Sequence, residues 1–135
     1  MSKRGLLLVG HGSKLPYNKE LVEATAGFIA ERANEYVVKP GFMSINEPTV
    51  EEQLEAFREE SIDMLVVVPL FLARGIHIDK DIPGILGLPE GSKEGTFQIN
   101  GRTVPLVYAD PIGSDPLLAE LMLKNASDAI ARLDP

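Results

Sequence analysis

The sequence contains no cysteine, and that absence removes disulfides, iron–sulfur clusters, thiolate zinc sites and thiol nucleophiles from consideration. Any metal this chain handles must meet nitrogen or oxygen. Histidine is nearly as scarce, with two residues, His11 and His77. Long hydrophobic runs are missing as well. The longest, Met64 to Ala73, falls far short of the roughly 20 residues a membrane span needs and is broken by Pro69. Only Gly5 to Gly10 separate Lys3-Arg4 from His11, too little for the apolar segment of a secretory signal. A cytoplasmic protein with no membrane partner is expected. Basic residues number 13 against 20 acidic ones, a net charge of −7, so nucleic acid is not an expected partner either, because its phosphates call for a basic face.

What is present suits a single domain over residues 1–135: 44% apolar residues and a length within the usual range for one core. Gly5-Leu-Leu-Leu-Val9 is a continuous apolar run closed by Gly10, the pattern of a strand buried on both faces. From Asn18 the period changes to three and four, with Leu21, Val22, Thr25, Ala26, Phe28, Ile29 and Ala33 on one side of a helix that runs to about Asn34. Tyr36 to Met43 reads as an edge strand because Pro40 has no amide to donate. Thr49 with Glu52 three residues on predicts a capped helix whose buried stripe is Val50, Leu54 and Phe57.

Ile62 to Val68 predicts a central strand, and Asp79 followed by Pro83 a short helix to about Leu86. Asn100-Gly101 between two short apolar stretches predicts a surface hairpin inserted before a last strand, Val104 to Ala109. Asp115 and Pro116 open a final helix with Leu117, Leu118, Leu121, Met122, Ala126, Ala129, Ile130 and Leu133 on its apolar face. This alternation predicts an α/β fold of three layers, flavodoxin-like, with about four parallel strands and helices on both faces.

Ligands bind beyond the carboxyl ends of strands in such sheets. The loops there carry Gly10-His11-Gly12-Ser13, Ser44 to Pro48, Pro69 to His77, and Asp110 to Gly113. Both histidines and Glu47 are thereby expected on one rim. A lone loop histidine is commonly a surface or capping residue; two on one rim suit metal ligation or proton transfer. Glu47 has a competing role ahead of a helix, where the dipole favours a carboxylate, and Ser13 one as a helix cap. Other readings of the first loop are weaker: Leu15 stands where the third glycine of a dinucleotide loop belongs, the glycine spacing before the lysine is wrong for a P-loop, and Gly10 stands where a phosphohistidine enzyme would use an arginine.

Leu8-Val-Gly-His-Gly-Ser13 with Asn18, Asn46-Glu-Pro-Thr49, and Val68-Pro-Leu-Phe-Leu-Ala-Arg-Gly-Ile-His-Ile-Asp-Lys-Asp-Ile-Pro83 resemble the small archaeal sirohydrochlorin chelatases, the cobaltochelatase and nickelochelatase family, from about Gly5 to Leu133. The resemblance implies insertion of Co2+ or Ni2+ into sirohydrochlorin in cobalamin or methanogenic nickel-tetrapyrrole synthesis, with the metal as substrate and no resident cofactor. It implies His11 and His77 as metal ligands and proton acceptors. Rim placement makes Glu47 a candidate for metal or proton handling, and Gly10, Gly12, Ser13, Glu47, Leu72, Ala73, Arg74, Gly75 and Ile76 are expected around the macrocycle. A homodimer is implied too, since longer relatives place the substrate between two such domains. The excursion from Gly91 to Thr103 resembles forms found in methanogens and favours nickel alongside cobalt. Lys14, Lys19, Arg74 and Lys80 would meet the substrate's carboxylates. The competing readings are a metal or tetrapyrrole carrier without turnover and a flavodoxin-like nucleotide-binding module.

Overall fold

The computed structural model describes residues 3–133. Strand β1, Arg4–Gly10, is buried along almost its whole length. Its alternate side chains serve two layers: Leu6 and Leu8 pack beneath helix α1, Tyr17–Arg32, while Leu7 and Val9 join the larger core on the opposite face. Strand β2, Tyr36–Phe42, lies at the sheet edge, as Pro40 requires. Helix α2, Val50–Phe57, starts where expected: the Thr49 hydroxyl accepts from the Glu52 amide at 3.0 Å, and Glu52 Oε1 accepts from the Thr49 amide at 2.8 Å. Its Val50, Leu54 and Phe57 are buried in the larger core.

Strand β3, Leu65–Pro69, occupies the middle of the sheet. A π-helical turn, His77–Asp81, then runs directly into helix α3, Ile82–Leu86. The short helix therefore begins earlier than a cap at Asp79 would allow. Strands β4, Glu94–Ile99, and β5, Arg102–Tyr108, complete a five-stranded sheet in the order β2-β1-β3-β5-β4. β1, β2, β3 and β5 are parallel, and β4 pairs antiparallel with β5.

The expected hairpin is thus part of the sheet, not a surface insertion: its second arm and the last strand are one strand. Pro105 is tolerated there because the pairing with β3 begins at Leu106. Helix α4, Pro116–Ala131, is capped by Asp115, whose Oδ1 accepts from the Leu117 amide at 2.9 Å. None of its residues is buried, so its apolar face is present but uncovered. On the α1 side, the stretch of sheet formed by β3, β5 and β4 is also only partly covered. Val66, Val68 and Val107 are half-buried there, while Pro105, Thr96 and Gln98 are exposed. No helix among the described residues is long and apolar enough to cross a membrane.

Candidate functional site

β1 ends at Gly10 and delivers His11 to the carboxyl edge of the sheet. Three contacts impose the path of this first loop. Gly12 adopts φ +92°, and a Cβ there would stand 1.9 Å from the Ser44 carbonyl oxygen, so only glycine fits. Asn18 Oδ1 accepts from the Gly12 amide at 2.9 Å, and Asn46 Oδ1 accepts from the Ser13 amide at 2.8 Å. These two asparagines hold the backbone from which His11 projects. Gly10 is buried below, where a Cβ would meet Val22 Cγ2 at 2.6 Å, so helix packing accounts for it. The Ser13 hydroxyl accepts from the Leu15 amide at 3.2 Å; α1 starts after Pro16 with no side-chain cap, so the expected capping role is not filled.

His77 is supported differently. The Phe71 and Leu72 carbonyls accept from the Ile112 and Gly113 amides at 2.9 and 2.8 Å, and Leu72, Ala73, Arg74, Gly75 and Ile76 then lie exposed on the rim. The π-helical turn that follows is fastened from beneath. Ile78 and Ile82 are buried in the larger core, and the Tyr108 hydroxyl donates to the Ile78 carbonyl at 2.9 Å. Burial, with the Asp79 and Asp110 charges adding to it, pushes the Tyr108 hydroxyl up to about 12, which keeps it a donor.

The two loops bring the imidazoles together edge-on, their planes inclined at 67°. His11 Nε2 lies 3.1 Å from His77 Nε2, and the Phe71 ring sits beside both, with centroids 6.0 and 6.3 Å away. The other nitrogens fix the protons. His11 Nδ1 is 3.0 Å from the Gly12 carbonyl oxygen, and His77 Nδ1 is 2.7 Å from Asp81 Oδ2. A carbonyl and a carboxylate only accept, so each neutral ring carries its hydrogen on Nδ1 and turns an Nε2 lone pair toward the other. Two lone pairs at this separation repel unless a cation lies between them, either a shared proton or a metal ion. With imidazole–metal bonds of about 2.1 Å, one ion held by both nitrogens at the observed separation would subtend an angle of about 95°.

His11 and His77 are therefore the expected residues that the fold brings together. Glu47 lies exposed in the loop before α2. Among the described residues no three histidine, aspartate or glutamate side chains form a ready-made metal cage, so Glu47 does not join the pair into one. Of the expected bases, Arg74 Nε pairs with Asp79 Oδ1 at 3.2 Å, while Lys14, Lys19 and Lys80 have no carboxylate partner among the described residues. A cleft of about 300 Å³ beside the π-helical turn is lined by Arg74, Lys80, Lys93, Tyr108 and Asp110 among others, and by neither histidine. The pair itself stands on an open surface, with exposed Leu72 and Ile76 on the adjoining rim.

Sequence reasoning missed the roles of Asn18, Asn46, Phe71 and Asp81. All four lie inside the motifs already singled out. The four-residue step from His77 to Asp81 was the one legible signal, since that spacing places two side chains on one helical face.

Residues 5–129 match the CbiX family. The chain belongs to the CbiX family. It is 49% identical over 128 residues to a sirohydrochlorin cobaltochelatase of Methanosarcina barkeri (strain Fusaro), an alignment that covers 95% of this chain and 98% of that relative. Its fold resembles the sirohydrochlorin chelatase SirB from Bacillus subtilis subspecies spizizenii, solved in complex with cobalt, with TM-score 0.77 and 25% identity over 93% of this chain. The CbiX chain spans half of that longer protein. A cobalamin-biosynthesis CbiX protein from Marinobacter aquaeolei VT8 shares the fold at full length, with TM-score 0.70 and 22% identity, covering 99% of this chain and 100% of that one.

Proposed function

We propose that this protein is a sirohydrochlorin chelatase that inserts Co2+, and Ni2+ as a second metal, into sirohydrochlorin in the cytoplasm. The observation that carries the reading is the approach of His11 Nε2 to His77 Nε2, 3.1 Å apart on an open rim. The named relatives supply the substrate, and the open rim suits a large flat ring.

The reaction exchanges two pyrrole N–H protons for one divalent ion, so charge balances and the protein must deliver the ion and accept protons. His11 and His77 hold the incoming ion by two nitrogens, leaving its other positions for solvent and then for the pyrrole nitrogens. As the ion passes into the ring, the vacated Nε2 lone pairs are the acceptors for the released protons. Two neutral nitrogens without thiolate ligands make a site that can release its ion. Glu47, exposed in the loop before α2 and outside the histidine pair, is the candidate for assisting with metal or protons at the rim. Gly12 and Ser13 on one side, and Leu72, Ala73, Arg74, Gly75 and Ile76 on the other, border the macrocycle. Lys14 and Lys80 are placed in the histidine-bearing segments to meet its carboxylates.

The working form is a homodimer. Exposed Leu117, Leu121, Met122 and Ile130 on α4, together with the partly covered sheet face over β3, β5 and β4, support α4 docking on a second copy. The twofold length of the Bacillus protein supports the same arrangement. Sedimentation of wild type and Leu121→Asp checks it: a dimer for the first and a monomer for the second are expected.

An anaerobic assay with sirohydrochlorin and Co2+, followed by visible absorption, tests the activity. A chelatase yields many equivalents of metallated product per protein above the uncatalysed rate. A carrier stops at stoichiometric binding, and that result would replace the enzyme reading.

A further inference from the structure

Of the acidic side chains in the π-helical turn, Asp79 is drawn to Arg74, while Asp81 faces His77. The Asp81 carboxylate lies 2.7 Å from His77 Nδ1, with the two side chains 46% and 42% exposed. The ring therefore has little packing to orient it: the Phe71 ring, tilted at 51°, touches one side, and His11 stands at its tip. The carboxylate, by contrast, stands on a firm base. The next residue, Ile82, is fully buried, and the carbonyl of Ile78 is bound by Tyr108. The turn is thus anchored to the core on both sides of its exposed charged face.

We propose that Asp81 is the positioning residue of this site: it fixes the tautomer and orientation of His77 so that the Nε2 lone pair points at His11 and at the path of the metal. This rests on the chelatase reading above and adds to it the group that makes His77 a ligand. A carboxylate is required, and not merely a polar group of its shape. It can only accept, so it holds the hydrogen on Nδ1 and leaves Nε2 bare. An asparagine could turn its NH2 toward the ring and donate, moving the hydrogen to Nε2, where it would block metal binding. His11 needs no such partner, because the Gly12 carbonyl beside it can act only as acceptor. Carboxylates in this outer position typically govern metal affinity by about 10- to 100-fold.

The test uses the full-length protein and Co2+ alone, with binding followed by its visible absorption and the histidine tautomers read by nitrogen-15 NMR of the metal-free protein. In wild type, His77 is expected as the Nδ1–H tautomer. Asp81→Asn and Asp81→Ala are expected to bind Co2+ about 10- to 100-fold more weakly. Asp81→Asn should also lose the uniform tautomer while keeping the thermal midpoint of wild type, and Asp81→Glu should recover part of the affinity. Wild-type tautomer and Co2+ affinity in Asp81→Asn would overturn the proposal while His77→Ala still weakens binding. If His77→Ala binds Co2+ as wild type does, the metal-site reading falls, and the role of Asp81 falls with it.

Discussion

The two histidines meet tip to tip, yet the loops that carry them are built on opposite plans. The His11 loop is held by its own backbone: a left-handed glycine pressed on Ser44, and two asparagine side chains that each bind an amide. The His77 segment is exposed from Leu72 to Ile76, and a single carboxylate together with a buried footing orients its imidazole. One ligand is set by a conformation that only glycine reaches, the other by a side-chain hydrogen bond. The site is thus built from one wall set by backbone conformation and one set by a side-chain hydrogen bond over a buried footing.

The sharpest way to break this comparison is to make the same substitution on both sides. Gly12→Ala places a Cβ against the Ser44 carbonyl at a φ that alanine avoids. A stability loss on the order of 3 kcal/mol in urea denaturation is expected, with chelation falling to the uncatalysed rate. Next in size, Asn46→Ala removes the acceptor of the Ser13 amide. It should cost about 1 to 2 kcal/mol and slow turnover several-fold, both read on the same sample.

Tyr108→Phe loosens the footing of the His77 turn and should cost about 1 kcal/mol near pH 8. The sign of its pH dependence follows from the raised hydroxyl. With the folded-state value at about 12 and the ordinary tyrosine value at 10.0, the wild-type advantage is complete below pH 10 and is lost as pH rises through 12. Denaturation of both proteins at pH 8 and at pH 11 should show the gap narrowing. The smallest effect is the mirror of the first. Nothing lies within 4 Å of a Cβ at Gly75, so Gly75→Ala should change stability by less than about 0.5 kcal/mol.

Local chemistry was legible in the sequence where a residue's role depends on near neighbours. The Thr49 and Glu52 reciprocal cap, the Asp115–Pro116 helix start and the apolar run of β1 all form as their spacing predicts. Roles that depend on distant partners were less legible. Arg102 to Pro105 reads as a separate hairpin arm because proline interrupts strands, yet the ladder with β4 runs on to Glu94 opposite Val107. The apolar face of α4 announces a partner surface without saying which, and among the described residues nothing buries it.

At the site, parallel strand order was enough to put His11 and His77 on one rim. It could not show that the Gly12 carbonyl and the Asp81 carboxylate accept hydrogen bonds from the two Nδ1 atoms, because that depends on ring orientation and on a π-helical turn where a helix capped at Asp79 was expected.

The central claim is that the two imidazoles act as one device. It is tested most directly by the initial rate of cobalt insertion into sirohydrochlorin by wild type, His11→Ala, His77→Ala and the double variant, all under anaerobic conditions. Groups that work as a unit are strongly non-additive, so each single variant should lose at least about 100-fold and the double variant little more. Single variants that keep the wild-type rate would contradict the account.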